Sequence, residues 1–223
     1  MARIILHIKY GRGKVEDMRK ILLFCLLALL YAMPAQAMVV MERQEGPSWK
    51  MDYPLVYVDD PGAQAAINSD INRYLDAFQE AMATNNLIRE GIIKTKLCYE
   101  DENVISLTLV DYHYTGGAHG MYVVYGLVYD VHTGARIPLE NYVRLTTEDV
   151  AAELPDNTFT YDTTTPVRKF MNEPKRVPSD YYLAGDGSVN IIFQPYEIAA
   201  YAAGAPYLHL TAARMAYYNE KNK

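Results

Sequence analysis

Hydrophobic spacing divides this chain into one long helix-like stretch and a series of strand-like ones. Ile67, Ile71, Tyr74, Leu75, Phe78 and Met82 recur at three- and four-residue intervals, which predicts an amphipathic helix with a single buried stripe. Asn68, Arg73, Asp76, Gln79 and Glu80 fall mostly off that stripe. Asp60 stands where a cap is needed and Pro61 at the first helical position. The helix is expected to end at residues 84–86, and residues 38–51 read as a loose lead-in. Strands are predicted at 52–58, 92–100, 103–114 and 121–131, with a short one near 136–139. In 103–114 the alternation puts Ile105, Leu107 and Leu109 on one face. Residues 121–131 are apolar on both faces, the pattern of a central strand.

Beyond the hairpin turn at 132–135, a short helix is expected at 146–154, capped by Thr146 or Thr147. Residues 156–165 are polar and turn-rich. One helical turn is expected at 167–171, stopped by Pro174 and Pro178. A hairpin at 181–184 and 188–194 turns through Gly185-Asp186-Gly187. Residues 195–203 read as a helical turn ending at Gly204, and 207–211 as the last strand. This is an α+β pattern: a helix packed on a mainly antiparallel twisted sheet, in two small, intimately packed subdomains. The expected divisions are 38–100, 101–211 and a C-terminal tail at 212–223.

The N-terminus changes the picture. Arg19 and Lys20 precede an apolar run from Ile21 to Leu30, followed by Pro34 and Ala35-Gln36-Ala37. A basic start, short apolar core and small-x-small end make a secretory signal peptide at 18–37. The run falls short of the roughly 20 residues needed to span a bilayer. Cleavage near Ala37 would leave a periplasmic or secreted protein, held to the membrane only if the leader stays uncleaved. Residues 1–17 look like a mis-assigned start, with Met18 as the true one. The leader takes six of 21 basic and two of 27 acidic residues, leaving 15 against 25, a formal net charge of −10. Such a charge argues against nucleic acid and favours cationic partners. Cys25 lies in the leader, so Cys98 is left alone and no intramolecular disulfide is expected.

Candidate chemistry gathers around Tyr114-Thr115-Gly116-Gly117-Ala118-His119-Gly120, a glycine-rich turn between two strands. Together with Pro195-Tyr196-Glu197-Ile198 and Tyr201-Ala202-Ala203-Gly204, it resembles the signature of the RsiV-like domain, over roughly residues 101–211. That family is best known as the extracellular half of a lysozyme-sensing anti-sigma factor. Ala200 departs from the family's usual proline. Residues 47–99 more weakly resemble the companion module that precedes this domain in the anti-sigma factor and precedes the catalytic domain of some peptidoglycan deacetylases; Tyr53-Pro54 and the Ile-Asn helix carry that likeness. With only 17 to 20 residues ahead of the apolar run and 12 after Thr211, neither the cytoplasmic helical domain of an anti-sigma factor nor an appended catalytic domain is expected.

Two chemistries compete. His113, His119, Asp111 and Glu197 contain the ligand types of a hydrolytic zinc site, but no HExxH or CxxC spacing supports one. No metal, cofactor or catalytic residue is therefore assigned. Glu197 is read first as accepting hydrogen bonds from backbone amides near 114–120, tying the two motifs together, with the lining of a ligand groove as the alternative. The chain has 20 tyrosines, and tyrosine suits both recognition surfaces and half-exposed sheet faces. The expected binding residues are Tyr114, Gly116, Gly117, His119, Tyr196, Glu197 and Tyr201. The expected function is an exported, non-catalytic module that binds a lysozyme-like or other cationic protein, or a cell-wall glycan. The alternative is a small peptidoglycan-directed hydrolase or deacetylase-like enzyme.

Overall fold

The computed structural model describes residues 37–223, which form one compact unit. The predicted signal peptide, the alternative start at Met18 and Cys25 lie outside the described residues. Among the described residues no helix is long and apolar enough to cross a membrane.

The first sheet has five strands in sequence order: β1 (Met38–Glu45), β2 (Trp49–Tyr57), β3 (Glu90–Glu100), β4 (Val104–Tyr114) and β5 (Met121–Asp130). Helix α1 (Pro61–Thr84) crosses over between β2 and β3, the sheet's parallel pair; the other pairs are antiparallel. Its cap is the expected one: Asp60 accepts from the Ala63 amide at 2.7 Å. Ile67, Ile71, Leu75 and Phe78 are buried against Ile105, Leu107 and Leu109 of β4.

The second sheet, ordered β6-β9-β8-β7, packs on the opposite face. It comprises β6 (Thr158–Thr160), β7 (Tyr181–Leu183), β8 (Val189–Ile192) and β9 (Pro206–Leu210). Helix α2 (Thr147–Asn157) begins with a complete capping box between Thr146 and Asp149, and α3 (Ala212–Lys221) closes the chain. The α+β class holds.

Several local expectations are corrected. The lead-in is an edge strand, β1, and the C-terminal tail is a helix. Residues 167–171 form no helical turn, and a short strand, β6, lies within the stretch read as turns. Strand β5 is not central but the last in its ladder. It is apolar on both sides because α1 covers one face and the second sheet the other. Side chains close its open edge, as buried backbone groups require. Gln194 accepts from the Val124 amide at 2.9 Å and donates to the Val124 carbonyl at 2.8 Å. Asp180 accepts from the Gly126 amide at 3.1 Å, and Arg136 donates to the Gly126 carbonyl at 2.5 Å.

Candidate functional site

The glycine-rich turn links β4 to β5 at one end of the first sheet. Gly116 and Gly117 take φ of 103° and 102°, a region closed to residues with a Cβ. The Tyr114 hydroxyl straps the turn by donating to the Gly117 carbonyl at 2.9 Å.

At the far side of the turn His119 lies flat on Tyr201, with ring centroids 3.8 Å apart and planes 15° from parallel. Both rings hold the Gly120 carbonyl: His119 Nδ1 is 2.9 Å from it and the Tyr201 hydroxyl 2.6 Å. A carbonyl only accepts, so the proton of a neutral His119 sits on Nδ1 and Nε2 is left as an acceptor. That acceptor faces the Tyr196 hydroxyl at 3.5 Å. Tyr196 and Tyr201 are 5.4 Å apart, and Tyr122 meets Tyr201 edge-on at 6.0 Å. Burial, with Tyr112 and Tyr196 beside it, pushes the Tyr201 phenol up from its ordinary pKa.

Tyr196 is one of three non-glycine residues at positive φ, with Asp162 and Thr164, and the one that belongs to the cluster. Its φ is +69°, yet the residue is 46% exposed. An aromatic residue in the left-handed region costs about 1–3 kcal/mol, and such strain tends to gather at functional positions.

Of the seven expected residues, the structure brings His119, Tyr196 and Tyr201 into one cluster, with Tyr114, Gly116 and Gly117 on the turn beside it. Glu197 behaves differently from its reading. Its Oε2 accepts from the Gln194 amide at 2.8 Å, inside its own turn, and its Oε1 is 4.0 Å from Arg176. The two motifs are tied instead by the Tyr201–Gly120 bond and by Gln194, which anchors the second motif to β5. Gln194 was not picked out in sequence, although it immediately precedes Pro195. A cleft of about 330 Å³ beside Tyr196, lined by Asn172, Lys175 and Arg176 among others, was equally hidden, because these side chains come from an irregular segment.

His113 and His119 do not meet. His113 stacks on Phe78 of α1 at 5.2 Å, on the helix-covered face of β4, with Nδ1 3.3 Å from Asp111 Oδ1. His119 lies instead with Tyr201, beside the second sheet. Burial pushes the Asp111 carboxyl up, and His113 pulls it the other way. Among the described residues no three His, Cys, Asp or Glu side chains converge as a metal site would require.

The fold and cluster define a two-sheet α+β domain that presents a strained, exposed aromatic beside a histidine. Residues 42–122 match a family model described as deacetylase PdaC, and residues 133–213 one described as a protein of unknown function, DUF3298. The chain is thus similar to the first family over one stretch and to the second over the next. The glycine turn falls in the first and the Tyr196–Tyr201 motif in the second, so the cluster joins the two. A DUF3298-family crystal structure from Bacteroides fragilis superposes with a TM-score of 0.57 at 12% identity, covering 82% of this chain and 92% of that one. Another from Pseudomonas aeruginosa gives 0.53 at 16%, covering 82% and 94%. Identities this low establish the shared fold and nothing finer. No curated protein matches the chain.

Proposed function

We propose that this protein is an exported, non-catalytic binding module of the cell envelope that engages its partner through Tyr196, His119 and Tyr201. The exposed ring of Tyr196, held at positive φ, carries the reading: the fold tolerates strain to present an aromatic surface. Tyrosine gives such a surface contact area together with a polar tip. The partner proposed is a cationic protein, with lysozyme first. The formal charge of −10 outside the leader would steer it in, and the RsiV-like signature points the same way. Export would follow cleavage near Ala37. Mass spectrometry of the mature N-terminus tests that step, and a protein retaining residues 18–37 in the soluble envelope fraction would refute it.

Binding is tested by capturing lysozyme on immobilised residues 38–223 at low and high salt. Saturable capture that weakens with salt supports the reading, and a cell-wall glycan serves as the second ligand. Binding of neither would refute it.

The description of the first matched family supports a second reading, a small deacetylase-like hydrolase. Asp111 and His113, inside that region, would be its acid–base pair. Release of acetate from N-acetylated chitooligosaccharides, lost in His113→Ala, would favour this reading over the first.

A further inference from the structure

We propose that a second surface, the cleft between the β1–β2 turn, the start of β3 and Tyr114, binds an uncharged oligosaccharide. The cleft measures about 550 Å³, within the ~300–1,000 Å³ range of small-ligand sites. Its walls are locked to one another by backbone hydrogen bonds. The Gly46 amide donates to the Trp49 carbonyl at 2.8 Å, the Gly91 amide to Ser48 at 3.0 Å and the Arg89 amide to Tyr114 at 2.7 Å. A ligand would therefore meet a pre-formed site and pay little ordering entropy.

The chemistry of the lining selects the ligand. Trp49, the only tryptophan of the chain, is half-buried and stands edge-on to Phe78 at 6.2 Å. With Tyr114 it supplies aromatic surface for the C–H face of a sugar ring. Around them stand Glu45 and Glu90, which accept hydrogen bonds, and Lys50 and Arg89, which donate them. Two negative and two positive groups cancel, so the cleft offers no net attraction to an ion. A ring of hydroxyls that both donate and accept matches such a mixed rim. Lys50, Arg89 and Glu90 form no ion pair among the described residues, so their hydrogen-bonding capacity is open to a ligand. The Arg89 guanidinium is also braced: its Cζ lies 3.1 Å from where a Cβ on Gly116 would stand, so the glycine turn forms its backing.

This inference rests on the reading of the protein as an envelope binding module but uses different side chains from the Tyr196 cluster. Trp49 makes it directly measurable, since selective excitation of the single tryptophan reports on the cleft alone. Residues 38–223 would be titrated with N-acetylchitotetraose, cellotetraose and maltotetraose, in turn, at millimolar concentrations. The expected result is a saturable change in Trp49 emission with at least one of the three, weakened about tenfold in Arg89→Ala and measurably in Glu90→Gln. Both residues are exposed, so both variants should melt like the wild type. No change with any of the three sugars overturns the proposal, and so does a change that Arg89→Ala leaves intact. Failure of the cluster reading looks different, because it appears as binding of lysozyme or cell-wall glycan that is absent or indifferent to Tyr196→Ala, whatever Trp49 reports.

Discussion

Gly126→Ala should separate the two sheets. A Cβ at this position would stand 2.1 Å from the Tyr181 carbonyl oxygen and 2.4 Å from its amide nitrogen. Both are backbone atoms of β7, so no side-chain rotation relieves the clash. Ordinary contact begins near 3.4 Å, so β7 must retreat by more than an ångström. Overpacking of this kind costs about 1–3 kcal/mol, at the upper end where the obstacle is backbone. The same retreat stretches the Gly126–Asp180 hydrogen bond of 3.1 Å and the bond from the Leu183 amide to Ser106 Oγ, 2.9 Å. Ser106 is fully buried, so losing its partner costs a further ~1–3 kcal/mol. Relief of glycine's entropy in a strand returns ~0.5–1 kcal/mol. The net loss is about 4 kcal/mol, a large part of the ~5–15 kcal/mol that holds a domain together. Urea denaturation followed by far-UV circular dichroism measures it. With a slope near 2 kcal/mol/M, the midpoint should fall by about 2 M. A fall below ~0.5 M would refute the close approach of the sheets at this point.

Other consequences are open to measurement. Asp149 is buried; burial alone would raise its pKa, but Lys221, the Thr146 amide and Asn222 outweigh it and hold the carboxyl down to about 2. Because the folded value lies below the unfolded one, its contribution is complete above about pH 4 and is lost as pH falls towards 2, roughly 2 kcal/mol in all. Asp149→Asn should therefore flatten the acid limb of the stability–pH curve, and an unchanged limb would contradict the assignment. Burial pushes the Cys98 thiol up, so it should react slowly with Ellman's reagent at pH 8 in the native state and rapidly in urea; equal rates would place the thiol in solvent. Tyr201→Phe removes one of the two donors to Gly120 and should cost about 1 kcal/mol in thermal unfolding while weakening partner binding. No change in either would show that the hydroxyl does not hold the turn.

The helix and the long strands were legible because each buries one regular stripe. Asp60, Pro61 and the spacing from Ile67 to Phe78 fix α1, and Ile105, Leu107 and Leu109 fix the inner face of β4. The opposite face of β4 was not legible. Ser106 and Thr108 look like solvent-facing residues, yet both are fully buried, with Ser106 bonded to Leu183 and Thr108 to Tyr161 at 2.6 Å. A hydroxyl that finds a distant partner leaves no periodic trace. Strand β1 was missed because its exposed positions Glu42–Glu45 need no apolar alternation at a sheet edge. Helix α3 was missed because it buries Tyr218 alone and is held by ion pairs from Arg214 to Glu153 and from Lys221 to Asp149. In the candidate site, motif residues were visible as types but their partnerships were not. Glu197 turned inward to its own loop, and Gln194 took the bridging role.

The central claim is that Tyr196, His119 and Tyr201 form the partner-binding surface. Calorimetric titration of lysozyme into residues 38–223, at low and high salt and in parallel with Tyr196→Ala, tests it most directly. The account predicts saturable binding by the wild type that weakens with salt and falls at least tenfold in the variant, with thermal stability preserved. Binding of equal strength in wild type and variant would contradict it.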